Sequence, residues 1–235
     1  MKIGIFADSH YCKADVLCRT RRPSLSLKKI EEAMNAFQEA SVDLCVCLGD
    51  FVDKGTTAEE PFVCVSEAID LIRSYQIPYR VIPGNHDYTV FSADEFTERT
   101  GSPIPPYVWE TDTHLLIFLD ASYRSDERRF DVAGVEWKDS NLPQWQLDFL
   151  TETVARTDKN CVVLLHECIS TDVNLDHRVK NADAIRAVLE ESRRVSLVLQ
   201  GHYHKGSEQS ENGIRYLTLP AMCEGEGNSF LILDL

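Results

Sequence analysis

The sequence has no long hydrophobic run and little positive charge. Its 235 residues include 24 Lys and Arg against 38 Asp and Glu, which gives a formal net charge of −14 at pH 7. A surface of this sign repels phosphate backbones and disfavours broad electrostatic binding of nucleic acid. No stretch is long enough to span a bilayer. The sequence therefore argues against a nucleic-acid-binding protein and against a membrane protein.

A cleavable hydrophobic segment near residue 1 and cysteine pairs at metal-binding spacing are also lacking. The opening stretch, MKIGIFADSHYC, is a short apolar run that meets Asp8 at once. Apolar runs contain Cys45, Cys47, Cys64 and Cys161. Reduced, buried thiols are the preferred interpretation, because disulfides are typical of oxidising compartments. We expect a cytoplasmic protein in which Cys12 and Cys18 are the exposed thiols.

The composition is that of a globular protein with one substantial core. Hydrophobic residues make up 43% of the chain, which is enough for a single domain over residues 1–235. No repeat, composition shift or low-complexity linker divides the sequence. Apolar runs of strand length alternate with helical periodicity, which is typical of an α/β fold with a largely parallel sheet. Helical patterns are sparse around 100–119 and after 200, which predicts a second, mixed sheet.

The predicted elements follow one another along the whole chain. Strands are predicted at 2–7, 42–48, 79–82, 115–119, 161–165 and 195–199, with two more between 213 and 235. Helices are predicted at 24–40, 59–75, 92–99, 143–155 and 182–191. Long loops remain at 11–23, 101–107, 122–141 and 168–181. Because long loops in compact domains are often functional, we expect them to form the walls of a substrate pocket.

Polar residues of a restricted kind follow five of the predicted strands. The motifs are D-S-H at 8–10, G-D-F-V-D at 49–53, G-N-H-D at 84–87, L-L-H at 164–166 and G-H-Y-H at 201–204. Five of the seven histidines lie inside them. Ligands bind at the carboxyl ends of strands in open α/β sheets, so we expect these side chains to converge.

This set of side chains can hold two adjacent metal ions. A dimetal site needs a carboxylate that bridges ions roughly 3.5–4 Å apart, and Asp50 is the expected bridge. The other predicted ligands are Asp8, His10 and His204 for one ion and Asn85, His166 and His202 for the other. Mixed nitrogen and oxygen donors suit Mn, Fe, Zn, Co or Ni better than Ca or Mg. We expect two divalent or trivalent ions, chosen from Mn, Fe and Zn.

His86 has no ion in this assignment. A free imidazole beside Asn85 could donate a proton to a leaving alkoxide or bind a non-bridging phosphate oxygen. Asp53, three residues after the bridging carboxylate, is placed to hold that imidazole in one tautomer and support its charge. We predict His86 and Asp53 as the catalytic pair, with a hydroxide that bridges both ions as the nucleophile.

The order D-x-H, G-D-x-x-D, G-N-H-D, H and G-H-x-H resembles the calcineurin-like metallophosphoesterase superfamily over residues 8–204. The resemblance implies a four-layer α/β/β/α sandwich with two packed mixed sheets flanked by helices. It also implies a dinuclear metal centre, the ligand assignment above and the pairing of His86 with Asp53. The implied activity is metal-dependent hydrolysis of a small phosphodiester, pyrophosphate or nucleotide-type substrate.

Single positions bear on the branch of the superfamily. Lys54 and Asp87 stand where protein Ser/Thr phosphatases have Arg and Glu, and Asp53 stands where purple acid phosphatases have Tyr. The small size and intact first motif resemble the class III cyclic nucleotide phosphodiesterases. Residues 19–25, RTRRPSL, resemble the ADP-ribose and CDP-alcohol diphosphatases, which have Gln where this chain has His10. We expect a phosphodiesterase rather than a monoesterase.

A non-catalytic scaffold of the same fold, with bound metal, is the alternative hypothesis. Scaffold members of the superfamily typically lose ligands or the free histidine, whereas this chain retains His86. A nuclease is disfavoured by the net charge and by the lack of a basic groove signature.

Residues near the motifs have open assignments. Arg19, Arg21 and Arg22 either clamp a substrate phosphate or belong to a solvated loop. Tyr203 either stacks on a base or packs. Ordinary roles are expected for His114 and His177. Glu224 and Glu226 either rim the site or belong to a solvated turn, and the solvated turn is preferred. The sequence predicts no oligomeric state.

Overall fold

The structure, a computed structural model, describes residues 1–131 and 134–235, and it contains ten strands and five α-helices within them. The strands are β1 Lys2–Phe6, β2 Leu44–Cys47, β3 Tyr79–Val81, β4 Tyr107–Glu110, β5 His114–Phe118, β6 Asn160–Leu164, β7 Val195–Gln200, β8 Ser207–Glu211, β9 Ile214–Thr218 and β10 Leu231–Asp234. The helices are α1 Ser26–Glu39, α2 Glu60–Ser74, α3 Ala93–Thr100, α4 Gln144–Ala155 and α5 Ala182–Ser192.

The strands form two mixed sheets. The first has the order β10-β1-β2-β3, in which β1, β2 and β3 are parallel and β10 pairs antiparallel with β1. The second has the order β4-β5-β6-β7-β9-β8. Its four central strands are parallel, and β4 and β8 add antiparallel edges. The carboxyl ends of β1, β2 and β3 therefore lie at one edge of the first sheet, and those of β5, β6 and β7 at one edge of the second.

Three apolar clusters divide the fold into four layers. One lies between α1, α2, α3 and the first sheet, and another between α4, α5 and the second sheet. The third lies between the sheets, where Ile5 and Val46 of the first sheet join the same cluster as Leu164 and Leu199 of the second. Burial of apolar surface drives this layering. The predicted four-layer α/β/β/α sandwich is confirmed.

Helical spacing of apolar residues marks the helices in the sequence, and one of them also has a side-chain cap. In α1, Ile30, Ala33, Met34 and Phe37 recur at helical spacing and are all buried. Phe37 packs on Gly4 of β1, where a Cβ would overlap its ring. Helix α3 begins with a capping box at Ser92.

Two edge strands, β4 and β8, were not among the predicted elements. The sequence of β8, SEQSE, is polar and alternates half-buried with exposed residues. In β4, the residues of YVWE alternate in the same way. Each of them pairs with a neighbouring strand on one side only, and its sequence therefore lacks the continuous apolar run that marks a central strand.

All eight cysteines are free thiols, and only Cys18 is exposed. Cys12 is buried. The expectation that Cys12 is exposed was wrong because the chain beside Tyr11 pairs with Val52 and packs into the core.

Among residues 1–131 and 134–235, none of the helices combines the length and the apolar character that a membrane crossing requires.

Candidate metal centre

The predicted ligands meet where strands of both sheets end. Asp8 follows β1, Asp50 follows β2, and Asn85 lies shortly after β3. From the second sheet, His166 follows β6 and His202 follows β7. All five side chains are buried. The expected convergence of strand ends is therefore present in the structure.

Four of the predicted ligand residues have left-handed backbone conformations. The φ angles are 53° at Asp8, 44° at His10, 49° at Asp50 and 65° at His202. Such angles are unfavourable for residues that carry a Cβ and tend to cluster at functional sites. Asp8, Asp50 and His202 have this conformation within three residues of a strand end, and His10 has it two residues after Asp8.

One cluster contains Asp8, His10 and His204. Nε2 of His10 lies 3.1 Å from Nε2 of His204, and Oδ1 of Asp8 lies 3.8 and 3.5 Å from these two nitrogens. Asp8 also accepts a hydrogen bond from the backbone N–H of His202 at 3.0 Å. That bond ties the end of β1 to the end of β7.

Asp50 joins this cluster to a second one. Its Oδ2 lies 3.4 Å from Nε2 of His10 and 3.3 Å from Nε2 of His166. Atoms of Asp50, His166 and His202 lie within 4.8 Å of one another, as metal ligands do. Its Oδ1 accepts the backbone N–H of His86 at 2.7 Å, which fixes the carboxylate. Asp50 thus faces both clusters at once.

Buried polar atoms at the second cluster fit a metal ion. Within the described residues, neither Asn85 Oδ1 nor His202 Nε2 has a hydrogen-bond partner, although both are buried. An unpaired buried polar atom costs free energy, and a cation would remove that cost. His166 hydrogen-bonds through Nδ1 to the carbonyl of Leu48 at 2.7 Å, so that its Nε2 is the atom aimed at the cluster.

Two glycines make this close approach possible. A Cβ at Gly84 would overlap Oδ1 of Asp50, and one at Gly201 would lie 2.7 Å from Oδ2 of Asp8. Any larger residue at either position would push a carboxylate out of place.

The protonation of two histidines also suits metal binding. Burial is the larger cause and repulsion from the nearby His86 the smaller one, and together they lower the pKa of His10 to about 4. In the same way, burial and, to a smaller extent, repulsion from the nearby His166 lower the pKa of His202 to about 3. Both imidazoles are therefore neutral near pH 7, and neutral imidazole is the form that binds metals.

Asp53 contacts two histidines rather than one. Its Oδ1 lies 3.0 Å from Nδ1 of His86, as the sequence predicts, and its Oδ2 lies 3.2 Å from Nδ1 of His10. Burial opposes the charged form, but these hydrogen bonds hold the pKa of Asp53 below its usual range. The carboxylate therefore orients a predicted ligand and the predicted catalytic imidazole together.

His86 lies at the border between the ligands and the cavity. Its ring meets that of His10 edge-on, with centroids 4.5 Å apart. Its side chain is 29% exposed, whereas that of His10 is fully buried. His86 also lies within 4.8 Å of ligand atoms of His10 and Asp50, so its distance alone does not distinguish a proton donor from a ligand.

Glu224 lies at the site, which was the less favoured of its two assignments from the sequence. It was expected in a solvated turn, but its Oε1 lies 2.7 Å from Nδ1 of His204. The turn is brought to the site by hydrogen bonds from the N–H groups of Met222 and Cys223 to the carbonyls of Ala7 and Asp8. The sequence offered only the Gly-flanked acidic turn as a signal.

We expect Glu224→Ala to weaken metal binding at the cluster of Asp8, His10 and His204 by about 10- to 100-fold, because His204 loses the group that orients it. Glu224→Gln should restore most of the affinity, since an amide oxygen can still accept the Nδ1 hydrogen bond. Competition titration with a chromogenic chelator measures both variants. Glu226→Ala, in the same turn but exposed, is the control. Wild-type affinity in Glu224→Ala would contradict this role.

The three arginines of the loop after the first motif have different surroundings in the structure. Arg21 lines the cavity, with Nη1 3.7 Å from Oδ2 of Asp53 and Nε 4.0 Å from Oε1 of Glu224. Arg19 is exposed, and Arg22 donates to the backbone carbonyls of Arg19 and Arg21. Of the three, only Arg21 is placed to meet a substrate phosphate.

A cavity of about 470 Å³ opens beside the two clusters. Predicted ligands from both clusters line it together with His86 and Arg21. Trp137, His177 and Tyr203 line it as well. His177, for which the sequence predicts an ordinary role, thus lies at the cavity. The volume is in the range of small-molecule sites.

The sequence model of the family described as calcineurin-like phosphoesterase matches residues 1–206. The chain belongs to this family. The family and the arrangement of His and Asp side chains together imply a phosphoesterase with two metal ions and a small phosphorylated substrate.

Known proteins of this fold span different activities. The sequence is 24% identical over 211 residues to a "Probable cyclic nucleotide phosphodiesterase" of Fibrobacter succinogenes, covering 87% of this chain and 73% of that one. The fold is similar to the crystal structure of a dimetal phosphatase from Danio rerio, with a TM-score of 0.83, 17% identity and coverage of 99% and 91% of the two chains. It is also similar to GAP50, the anchor in the inner membrane complex of Plasmodium, with a TM-score of 0.61, 14% identity and coverage of 99% and 80%.

Proposed function

We propose that this chain is a dinuclear metal-dependent phosphodiesterase that acts on a small phosphodiester, pyrophosphate or nucleotide-type substrate. The position of Asp50 is the observation that carries the proposal. A single carboxylate oxygen lies 3.4 Å from a histidine nitrogen of one cluster and 3.3 Å from one of the other. This arrangement suits a carboxylate that bridges two ions.

We assign the two ions to the residues that the structure groups together. Asp8, His10, Asp50 and His204 would hold one ion, and Asp50, Asn85, His166 and His202 the other. When bound, two such ions supply Lewis-acid polarisation of the phosphoryl oxygens and an activated water. The mixed nitrogen and oxygen donors favour Mn, Fe or Zn.

The remaining groups of the chain bind the substrate and move the proton. His86 reaches the cavity and is held at Nδ1 by Asp53, so its Nε2 is the atom available to protonate the leaving oxygen. Arg21 presents a guanidinium to a non-bridging or second phosphate oxygen. The two acidic partners of Arg21 keep it near the ligands before substrate arrives.

A substrate panel tests this function. Bis-p-nitrophenyl phosphate, p-nitrophenyl phosphate, cyclic AMP and ADP-ribose are each assayed with Mn²⁺ and with chelator. We expect metal-dependent turnover that is faster for a diester or pyrophosphate than for the monoester, in keeping with the name of the Fibrobacter relative. The absence of turnover on every substrate by protein with bound metal would refute the proposal.

The similarity to the anchor protein GAP50 favours one alternative, a scaffold that binds metal without catalysis. Under this alternative, metal would raise the melting temperature and no substrate would be hydrolysed. The orientation of His86 by Asp53 supports catalysis instead, because a scaffold has no need of an oriented imidazole at its cavity.

A cytoplasmic location is part of the proposal. Eight free thiols in one chain are compatible with a reducing compartment, where disulfides are rare.

A further inference from the structure

Three rings from separate segments of the chain meet on one side of the cavity. Trp137 lies in the loop after β5, His177 in the loop after β6, and Tyr203 after β7. The centroid of the His177 ring lies 5.0 Å from that of Trp137 and 5.2 Å from that of Tyr203. We call these three residues the aromatic wall. Each of them is half-buried and lines the cavity.

Polar contacts between neighbouring residues link two segments of the aromatic wall. Lys138, next to Trp137, forms an ion pair of 3.0 Å with Asp176, next to His177. Oδ1 of Asn174 accepts the N–H of Asp176 at 3.1 Å and lies 2.9 Å from Nδ1 of His177. These contacts join the loop of Trp137 to the loop of His177 and orient the His177 ring, and such preorganisation lowers the entropic cost of binding.

The aromatic wall continues directly from the second ligand cluster. The ring of His202 lies 5.7 Å from that of Trp137 and 5.4 Å from that of His177. A phosphorus atom held between the clusters would therefore have one substituent beside the aromatic wall. Two cationic side chains that could bind a phosphate, Arg21 and Lys205, also line this cavity.

We propose that the aromatic wall is a stacking subsite for the planar base of a nucleoside phosphoester. The inference rests on the proposed function and narrows its substrate class from small phosphoesters to those with an aromatic base. Stacking of a base on an aromatic side chain tolerates different bases, because every base has a π face. The aromatic wall therefore selects for nucleosides over aliphatic esters without selecting strongly among bases.

Two esters with the same leaving group test the subsite. Thymidine 5′-(p-nitrophenyl phosphate) and methyl p-nitrophenyl phosphate differ only in the group that remains on phosphorus. The wild-type protein should prefer the thymidine ester in kcat/KM. Trp137→Ala should lower kcat/KM for the thymidine ester about 5- to 150-fold, the range for loss of one stacking ring, and change the methyl ester by less than about twofold.

Two further variants give the comparison its controls. Trp137→Phe retains a ring and should restore most of the preference. Trp145→Ala removes a tryptophan that is 47% exposed on α4, away from the cavity lining, and should leave both esters unchanged. Equal losses on both esters in Trp137→Ala would show a merely structural role and overturn the inference, as would no loss on either.

Binding of a product separates failure of the subsite from failure of the function. Thymidine 5′-monophosphate should quench tryptophan fluorescence of the metal-loaded protein, and the quenching should be lost in Trp137→Phe, whereas methyl phosphate should have no effect. Quenching by the nucleotide without turnover of either ester would refute the phosphodiesterase and keep the subsite. Equal turnover of the two esters without quenching would keep the enzyme and refute the subsite.

Discussion

Asp50→Asn should remove both metal ions together and abolish turnover. The amide keeps an oxygen that can accept the N–H of His86, so the local fold is preserved. Its uncharged nitrogen replaces the oxygen that lies between His10 and His166, and an amide nitrogen does not ligate a cation. We expect bound metal to fall below about one ion per chain and kcat to fall by more than about 10²-fold.

Elemental analysis of dialysed protein measures the metal, and the diester assay measures the turnover. Asp8→Asn is the informative comparison, because Asp8 belongs to one cluster only and its loss should chiefly weaken one ion. Asp70→Asn, an exposed carboxylate on α2, is the control for charge. Retention of both ions in Asp50→Asn would show that Asp50 does not bridge.

His86→Ala should retain the metal ions and lose turnover. The expected decrease in kcat is about 10²- to 10⁴-fold, the usual contribution of a positioned general acid. The decrease should depend on the leaving group. A p-nitrophenolate departs without much help, whereas an alkoxide needs the proton, so the loss should be larger for an alkyl ester than for a p-nitrophenyl ester.

Metal analysis of the same variant separates the two interpretations of this residue. His86 lies close enough to His10 and Asp50 to serve as a ligand. Loss of an ion in His86→Ala would therefore contradict the assignment as a proton donor, as would an equal decrease with both leaving groups. His114→Ala, at the start of β5 and outside the cavity lining, is the control.

The central part of the fold was predictable because each central strand is apolar on both faces. A run such as CVVLL before His166 fits only a strand that is covered on both faces. The alternation of strands and helices then predicts helices on the outer faces of the sheets. The edge strands were not predictable in the same way. The segment SEQSE forms strand β8 because it pairs with β9, and its own sequence pattern does not predict that pairing. The extent of the domain, residues 1–235, stays a prediction.

The candidate site shows the same division between local and long-range signals. Asp8, Asp50 and His202 follow apolar runs and are recognisable one motif at a time. Glu224 comes to His204 through hydrogen bonds between its turn and the end of β1, more than 200 residues earlier in the sequence. The aromatic wall likewise depends on how two long loops pack together. The assignment of the predicted ligands to two metal ions stays a prediction.

The antiparallel pairing of β10 with β1 has a consequence for synthesis on the ribosome. Strand β1 is synthesised well before β10, so one of its edges stays uncovered until residues 231–234 pair with it. Asp8 must likewise wait for the N–H of His202, 194 residues later, before its carboxylate is fixed. Contacts this distant in sequence form late, and the nascent chain meanwhile exposes an uncovered strand edge. Both predicted ligand clusters include a histidine of the G-H-Y-H motif at 201–204, so we expect ions to enter only after this motif has been synthesised and has packed against the end of β1.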